Sequence, residues 1–122
     1  MTKDVKAENQ KLLERLIKFA GKIIRLCQKL PQNQTNLALI NQLVRCASSI
    51  GANYSEACDA ESSKDFVHKL KISAKEARET RFFLRLLLET NPDFSEKIID
   101  LGKESTEYIK IFSTILSKFK PK

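Results

Sequence analysis

The sequence predicts an all-α protein, an antiparallel up-down-up-down bundle of four helices. Three observations carry this expectation. Apolar residues recur with the helical period in four successive segments. Three glycines and three prolines in 122 residues are too few turn formers for a many-stranded sheet. Segments of roughly 20 to 28 residues with short connections pair most economically as antiparallel neighbours.

The first helix is expected over residues 5–30, with apolar positions 12, 13, 16, 17, 20, 23, 24, 27 and 30 in one stripe. Pro31 and the polar run Gln32-Asn33-Gln34 end it. The second is expected over 36–59, capped by Thr35 or Asn36, with positions 37, 40, 43, 44, 47, 50, 51, 54 and 58 apolar or small. A serine of Ser62-Ser63 caps the third, over 63–90, and Asp65 suits its first turn. Phe66, Val67, Leu70, Ala74, Ala77, Leu84 and Leu88 face inward. Asn91-Pro92 stops that helix, and Ser95-Glu96 starts the fourth, over 95–119. Its inner face reads Ile98, Leu101, Ser105, Tyr108, Phe112, Ile115 and Phe119. The whole chain, 1–122, reads as one domain. Leu13, Ile17, Ile24, Ile40, Val44, Leu70, Leu84, Phe112 and Ile115 are the expected core.

The stretch SSIGANYSEAC, residues 48–58, reads as helix interior, because the apolar period runs through it unbroken. Gly51 costs about 1 kcal/mol there relative to alanine, and close approach of a neighbouring helix backbone is the expected return. The opposite face carries Gln42, Arg45, Ser49, Ala52, Asn53 and Glu56. From Asn36 to Ser55 only Arg45 is charged, in a chain that is 30% charged. A charge-poor outer face predicts cover by another helix or another copy of the chain; a merely polar surface is the alternative.

The N-terminus has no apolar core of a secretory signal, and no apolar run approaches the roughly 18 residues of a membrane span. Cys27, Cys46 and Cys58 are odd in number and widely spaced, which fits free thiols in a reducing cytoplasm. His68 has no Cys, Asp or Glu at i+4, so neither a metal nor a cofactor is expected.

Formal charge is +7, unevenly placed: +5 over residues 1–30, −2 over 31–62, +3 over 63–90 and +1 beyond. Lys11, Arg15, Lys18, Lys22, Arg25 and Lys29 are spaced 4, 3, 4, 3, 4. That spacing aligns six cations opposite the apolar stripe over roughly 27 Å. A face built only for stability would interleave acids at i+4. The third helix repeats the pattern with Lys64, Lys71, Lys75, Arg78 and Arg85, sharing a face with His68 and Phe82. Phe82 suits stacking on a base or packing under a neighbour. Such rows are either solvated faces or polyanion sites. Nucleic acid, RNA or DNA, fits better than a membrane, because the first helix spends its bulky apolar residues on the core. The mixed-charge fourth helix, with Lys103 and Lys110, is expected to contribute little.

Arg45, Ser49, Asn53, Glu56, Glu76 and Glu79 read as a structural or oligomer-forming polar cluster, with Arg78 or Arg81 as further partners. A paired-carboxylate catalytic site would need a histidine partner, a nucleophile with its base, or a phosphate loop, and none is legible. No enzyme is expected.

The ordered residues Arg45, Ser49-Ile50-Gly51-Ala52-Asn53-Tyr54, Ala57, Ser63-Lys64-Asp65-Phe66, Lys69-Leu70, Ile72, Glu76-Ala77, Glu79-Thr80, Leu84 and Leu87 carry a family resemblance. The chain resembles the four-helix-bundle family of which many members are encoded by intervening sequences in bacterial large-subunit ribosomal RNA genes. The resemblance is dense over the second and third helices and covers the others in pattern only. It departs from the family pattern at Arg81-Phe82-Phe83. It implies an antiparallel four-helix bundle and a homopentamer. A related branch, the accessory variability determinant of diversity-generating retroelements, is a basic pentamer that works with nucleic acid and a reverse transcriptase. Two readings follow: an oligomeric nucleic-acid-binding bundle, with RNA first, or a protein-interaction scaffold with no nucleic-acid role.

Overall fold

Each of the first three helices begins at a side chain that accepts an otherwise open backbone N–H, as helix starts require. In a computed structural model describing residues 2–119, Thr2 accepts from the Val5 N–H at 3.2 Å and opens α1, Lys3–Lys29. Asn33 accepts from the Asn36 N–H at 2.8 Å and opens α2, Gln34–Cys58. Ser62 accepts from the Asp65 N–H at 3.1 Å and opens α3, Ser63–Thr90. A short 3-10 turn, Pro92–Phe94, leads into α4, Ser95–Ser117. The cap of α2 is therefore Asn33, not Thr35 or Asn36. Asn36 lies inside the helix with its amide turned to another task.

Contacting pairs give the topology. Asn9 and Leu16 of α1 meet Tyr54 and the Gly51 site of α2. Asn36, Arg45, Ile50 and Glu56 of α2 meet Asn91, Glu79, Ser73 and Lys69 of α3. Phe66 and Arg81 of α3 meet Phe119 and Thr106 of the α4 region. Arg15 and Lys22 of α1 meet Glu107 and Glu104 of α4. Numbers rise in one helix as they fall in its neighbour, so every adjacent pair is antiparallel. α1 and α3 each touch α2 and α4, which closes the bundle around one core.

The inner faces of α3 and α4 follow the periodicity: Leu70, Ala74, Ala77, Leu84, Ile98, Leu101, Ser105, Tyr108 and Phe112 are buried, whereas Phe119, expected to face inward, lies past the end of α4 and is 44% exposed. Leu13, Ile40, Val44 and Ile115 pack against the core from its rim. Two expected core residues fall outside it: Ile17 is 54% exposed and Ile24 is 39% exposed. The α1 stripe is wider than the arc its neighbours cover. Leu16, Phe19, Ile23, Leu26 and Leu30 take the interior. On the α2 side, Ser48, Gly51, Ala52 and Ser55 are too short to cover the isoleucines.

α2 runs through Gly51 without a break, and Gly51 is buried. A Cβ there would stand 3.5 Å from the Leu16 Cβ, an ordinary contact with a side chain. The expected close backbone approach does not account for this glycine. Buried hydroxyls in the core turn onto backbone carbonyls: Ser73 donates to Ile50 O and Ser105 to Leu101 O, each at 3.0 Å. Among the described residues, every buried side-chain nitrogen and oxygen has a partner.

Candidate nucleic-acid interface

The six-cation row of α1 lies along α4, and α4 answers it with acids. Arg15 Nη2 sits 2.8 Å from Glu107 Oε2, and Lys22 Nζ sits 3.1 Å from Glu104 Oε1. The Arg15 guanidinium also lies 5.1 Å from the Tyr108 ring centroid. Tyr108 is fully buried, donates its hydroxyl to Glu104, and stacks edge-on against Phe19 at 5.2 Å. Burial first and Glu104 second push the Tyr108 phenol well above its ordinary pKa. Arg15 and Lys22 thus hold α1 to α4 as well as contributing charge. Lys11, Lys18 and Arg25 form no ion pair among the described residues and stand exposed.

At the far end, Lys29 of α1 meets Lys97 of α4. Lys97, at hydrogen-bond range and by its charge, pushes the Lys29 ammonium below its ordinary pKa, with burial and Arg25 adding smaller effects. Lys22, Arg25, Lys29 and Lys97 line one small pocket there, with Asp100 and Glu104 as the acids. Cations crowded without an equal number of acids favour an incoming anion.

The α3 row is more open. Lys64, His68, Lys71, Lys75, Arg78, Phe82 and Arg85 are all exposed. Two acids stand against this row: Glu79, whose carboxylate is 3.9 Å from Lys75, and Glu89, which lines a groove with Arg78 and Arg85. Sequence reasoning missed Lys103 on α4, which joins the two rows. It lines a shallow depression with Arg15, Lys18 and Lys22 of α1 and with Asp100, Glu104 and Glu107 of its own helix. It also lines the adjoining groove with Arg78, Arg81, Phe82 and Arg85 of α3. The signal was available: Asp100, Glu104 and Glu107 are spaced 4 and 3 and share one side of α4. Lys103 lies beside them on the side toward α3, next to cations of both rows.

The polar cluster divides. Arg45 donates from Nη1 to Glu76 Oε2 at 3.1 Å and from Nη2 to Glu79 Oε2 at 2.8 Å. Glu76 is buried at 5% exposure, and Glu79 is half-buried. The Arg45 guanidinium is held above its ordinary pKa by the Glu79 hydrogen bond and the Glu76 charge. This triad stitches α2 to α3. Glu56 instead pairs with Lys69 at 3.5 Å, and Asn53 donates to Ser49 O at 2.9 Å within its own helix. Arg78 and Arg81 are not the partners of these glutamates; Arg81 reaches Thr106 on α4. Cover for this face of α2 thus comes partly from α3 of the same chain.

A small helical bundle whose ion pairs tie its helices together while surplus cations face outward defines the class of protein. The chain belongs to the 23S rRNA-intervening sequence protein family, whose model matches residues 8–114. A crystal structure of a protein of unknown function, from the S23 ribosomal protein family of Bacteroides thetaiotaomicron, is similar at 36% identity. The match covers 85% of this chain and 96% of that one, with a TM-score of 0.78. No curated protein matches significantly. Among the described residues, no helix is long and apolar enough to cross a membrane, and no group of three metal-binding side chains converges.

Proposed function

We propose that this chain is a non-catalytic, cytoplasmic RNA-binding bundle that works as a homo-oligomer. The observation that supports it best is Lys103, which stands beside cations of the α1 row in one depression and of the α3 row in the next, with the cations outnumbering the acids in each. The family name, with its 23S rRNA, points toward RNA rather than another polyanion. Phosphate binding of this kind is largely sequence-independent and releases counterions. With about four phosphates neutralised, log K falls against log salt with a slope of roughly −3 to −4.

The test is RNA binding across a salt series. Lys18→Gln with Lys103→Gln shortens the slope by about one per lost contact. Lys110→Gln, on exposed α4 surface away from both depressions, leaves it unchanged. Binding that ignores salt, or equal losses for both variants, returns the rows to solvated faces.

Self-association belongs to the same reading. The strip of Leu13, Ile17, Ala20, Gly21, Ile24, Ser48, Ala52 and Ser55 carries no charge. In a chain of charge +7, two copies meet with least repulsion on such a surface. Isoleucine knobs beside a floor of small residues offer a neighbouring copy an uncharged surface to pack on. A pentamer is the number that the family resemblance implies.

A further inference from the structure

We propose that the groove between α3 and α4 takes an unpaired nucleotide of single-stranded RNA, its base stacked on Phe82 and its flanking phosphates on Arg78, Arg85 and Lys103. The inference rests on the RNA-binding reading and adds which form of RNA is held, and where.

Phe82 is 59% exposed, more than any other large hydrophobic side chain described. Its neighbour Phe83 packs against the core, and the two rings meet perpendicular at 5.5 Å, an edge contact that orients Phe82 without covering it. Arg78 and Arg85 stand four residues before and three after it, one turn to either side on the same face. Lys103 lines the groove from α4, and Glu89 is its one acid. Gly102 leaves the floor open: apart from its chain neighbours and the backbone of its own helix, no atom lies within 4 Å of where its Cβ would stand. Arg81 reaches across the two helices to Thr106 at 3.4 Å. The groove has a volume of about 720 Å³, enough for a small ligand.

An aromatic ring set between guanidinium groups answers a base between two phosphates. In a duplex each base face is covered by its stacked neighbours, so only an unpaired base offers a face to Phe82. Cationic rows alone serve single strand and duplex alike; the ring discriminates. An acidic amphipathic helix is the competing occupant, but such docking needs apolar anchors repeated along the groove at helical spacing. Here Phe82 and Ile99 are the exposed large apolar side chains, while Leu84 and Ile98 are buried and Leu88 is half-buried in the groove wall.

The experiment compares a single-stranded RNA carrying one 2-aminopurine with a blunt duplex of equal length. Stacking on Phe82 changes the fluorescence of the single strand on binding. Phe82→Ala removes that change and weakens single-strand binding about tenfold, while duplex affinity and its salt slope stay as they were. Phe82→Trp restores both the signal and the affinity. Arg85→Gln shortens the single-strand salt slope by about 0.7. Because Phe82 is exposed, circular dichroism of Phe82→Ala matches the parent. Equal losses on both RNAs, or no loss on either, overturn the groove assignment and leave the general RNA reading standing. Failure of the parent protein to bind either RNA overturns both. Unchanged RNA binding together with an altered sedimentation coefficient for Phe82→Ala assigns the groove to a protein contact and also overturns the proposal.

Discussion

Asn36 and Asn91 exchange a pair of side-chain hydrogen bonds at the open end of the α2–α3 pair, away from the connection between those two helices. Asn36 donates to Asn91 Oδ1 at 2.9 Å, and Asn91 donates back to Asn36 Oδ1 at 3.1 Å. Both are buried, and each also binds a backbone carbonyl: Asn36 that of Pro31, Asn91 that of Leu87. The pair therefore ties the α1–α2 connection to the C-terminal end of α3. Replacing Asn36 with alanine leaves a buried acceptor on Asn91 and the Pro31 carbonyl without this donor. The expected loss is about 1–3 kcal/mol in urea unfolding. Asn36→Ala combined with Asn91→Ala loses less than the two singles summed, by about 1 kcal/mol. Full additivity contradicts the pairing.

Arg45 and its two glutamates give a second expectation. Glu76→Gln keeps the shape and weakens one charge-assisted bond, at about 1 kcal/mol. Arg45→Met destabilises more, because it strands the buried Glu76 carboxylate. Adding Glu76→Leu to Arg45→Met recovers part of that loss. Equal losses for Arg45→Met and Glu76→Gln contradict a stranded charge.

Stability should decline on the alkaline side. Burial pushes the Cys27 thiol up to about 11, and Cys46, Tyr54, Cys58 and Tyr108 are raised as well. Above the ordinary thiol pKa of about 8.5, the unfolded chain releases protons that the folded chain retains. The contribution is thus complete below that pH and is lost as pH rises toward 11. For Cys27 alone this is roughly 2–3 kcal/mol. Melting temperature falls between pH 9 and 11, and Cys27→Ala makes that fall shallower. A melting temperature flat across that range counts against it.

Gly51→Ala should stabilise the chain by about 0.4–1 kcal/mol, because the new methyl meets Leu16 at ordinary contact distance and the helix loses a flexible residue. The urea midpoint rises with its slope unchanged. Gly102→Ala, with open space around the site, behaves alike. A loss at Gly51 alone would mean that the glycine serves something beyond the isolated bundle, such as a second copy on the α1–α2 strip.

The isoleucines of that strip make the assembly testable. Light scattering across a hundredfold dilution should report an oligomer, and Ile17→Glu with Ile24→Glu should reduce it to a monomer of unchanged helicity. Both side chains are exposed in the single chain, so the fold tolerates the charges. A parent that is monomeric throughout, or a double variant with undiminished mass, excludes this surface.

Helix existence, most helix ends and most of the inward faces of α3 and α4 were legible in the sequence; the α2 cap, Asn33 in place of Thr35 or Asn36, and the exposed Phe119 were not. Periodicity, caps and proline stops act within a few residues of chain, and the sequence carries them directly. The cationic rows were legible for the same reason. What tertiary packing alone decided is how each helix is turned about its axis against its neighbours. That rotation put Ile17 and Ile24 outside, although they share the stripe with buried Ile23. It sent Asn36 to Asn91, Arg45 to Glu76 and Glu79, and the α1 cations to the acids of α4. It also left Phe82 and Lys103 on one groove. These pairings join residues 21 to 92 positions apart, and a helical wheel fixes angles within a helix but not between two. The angle between helices is set by which side chains fill the shared interior, a property of the packed bundle as a whole.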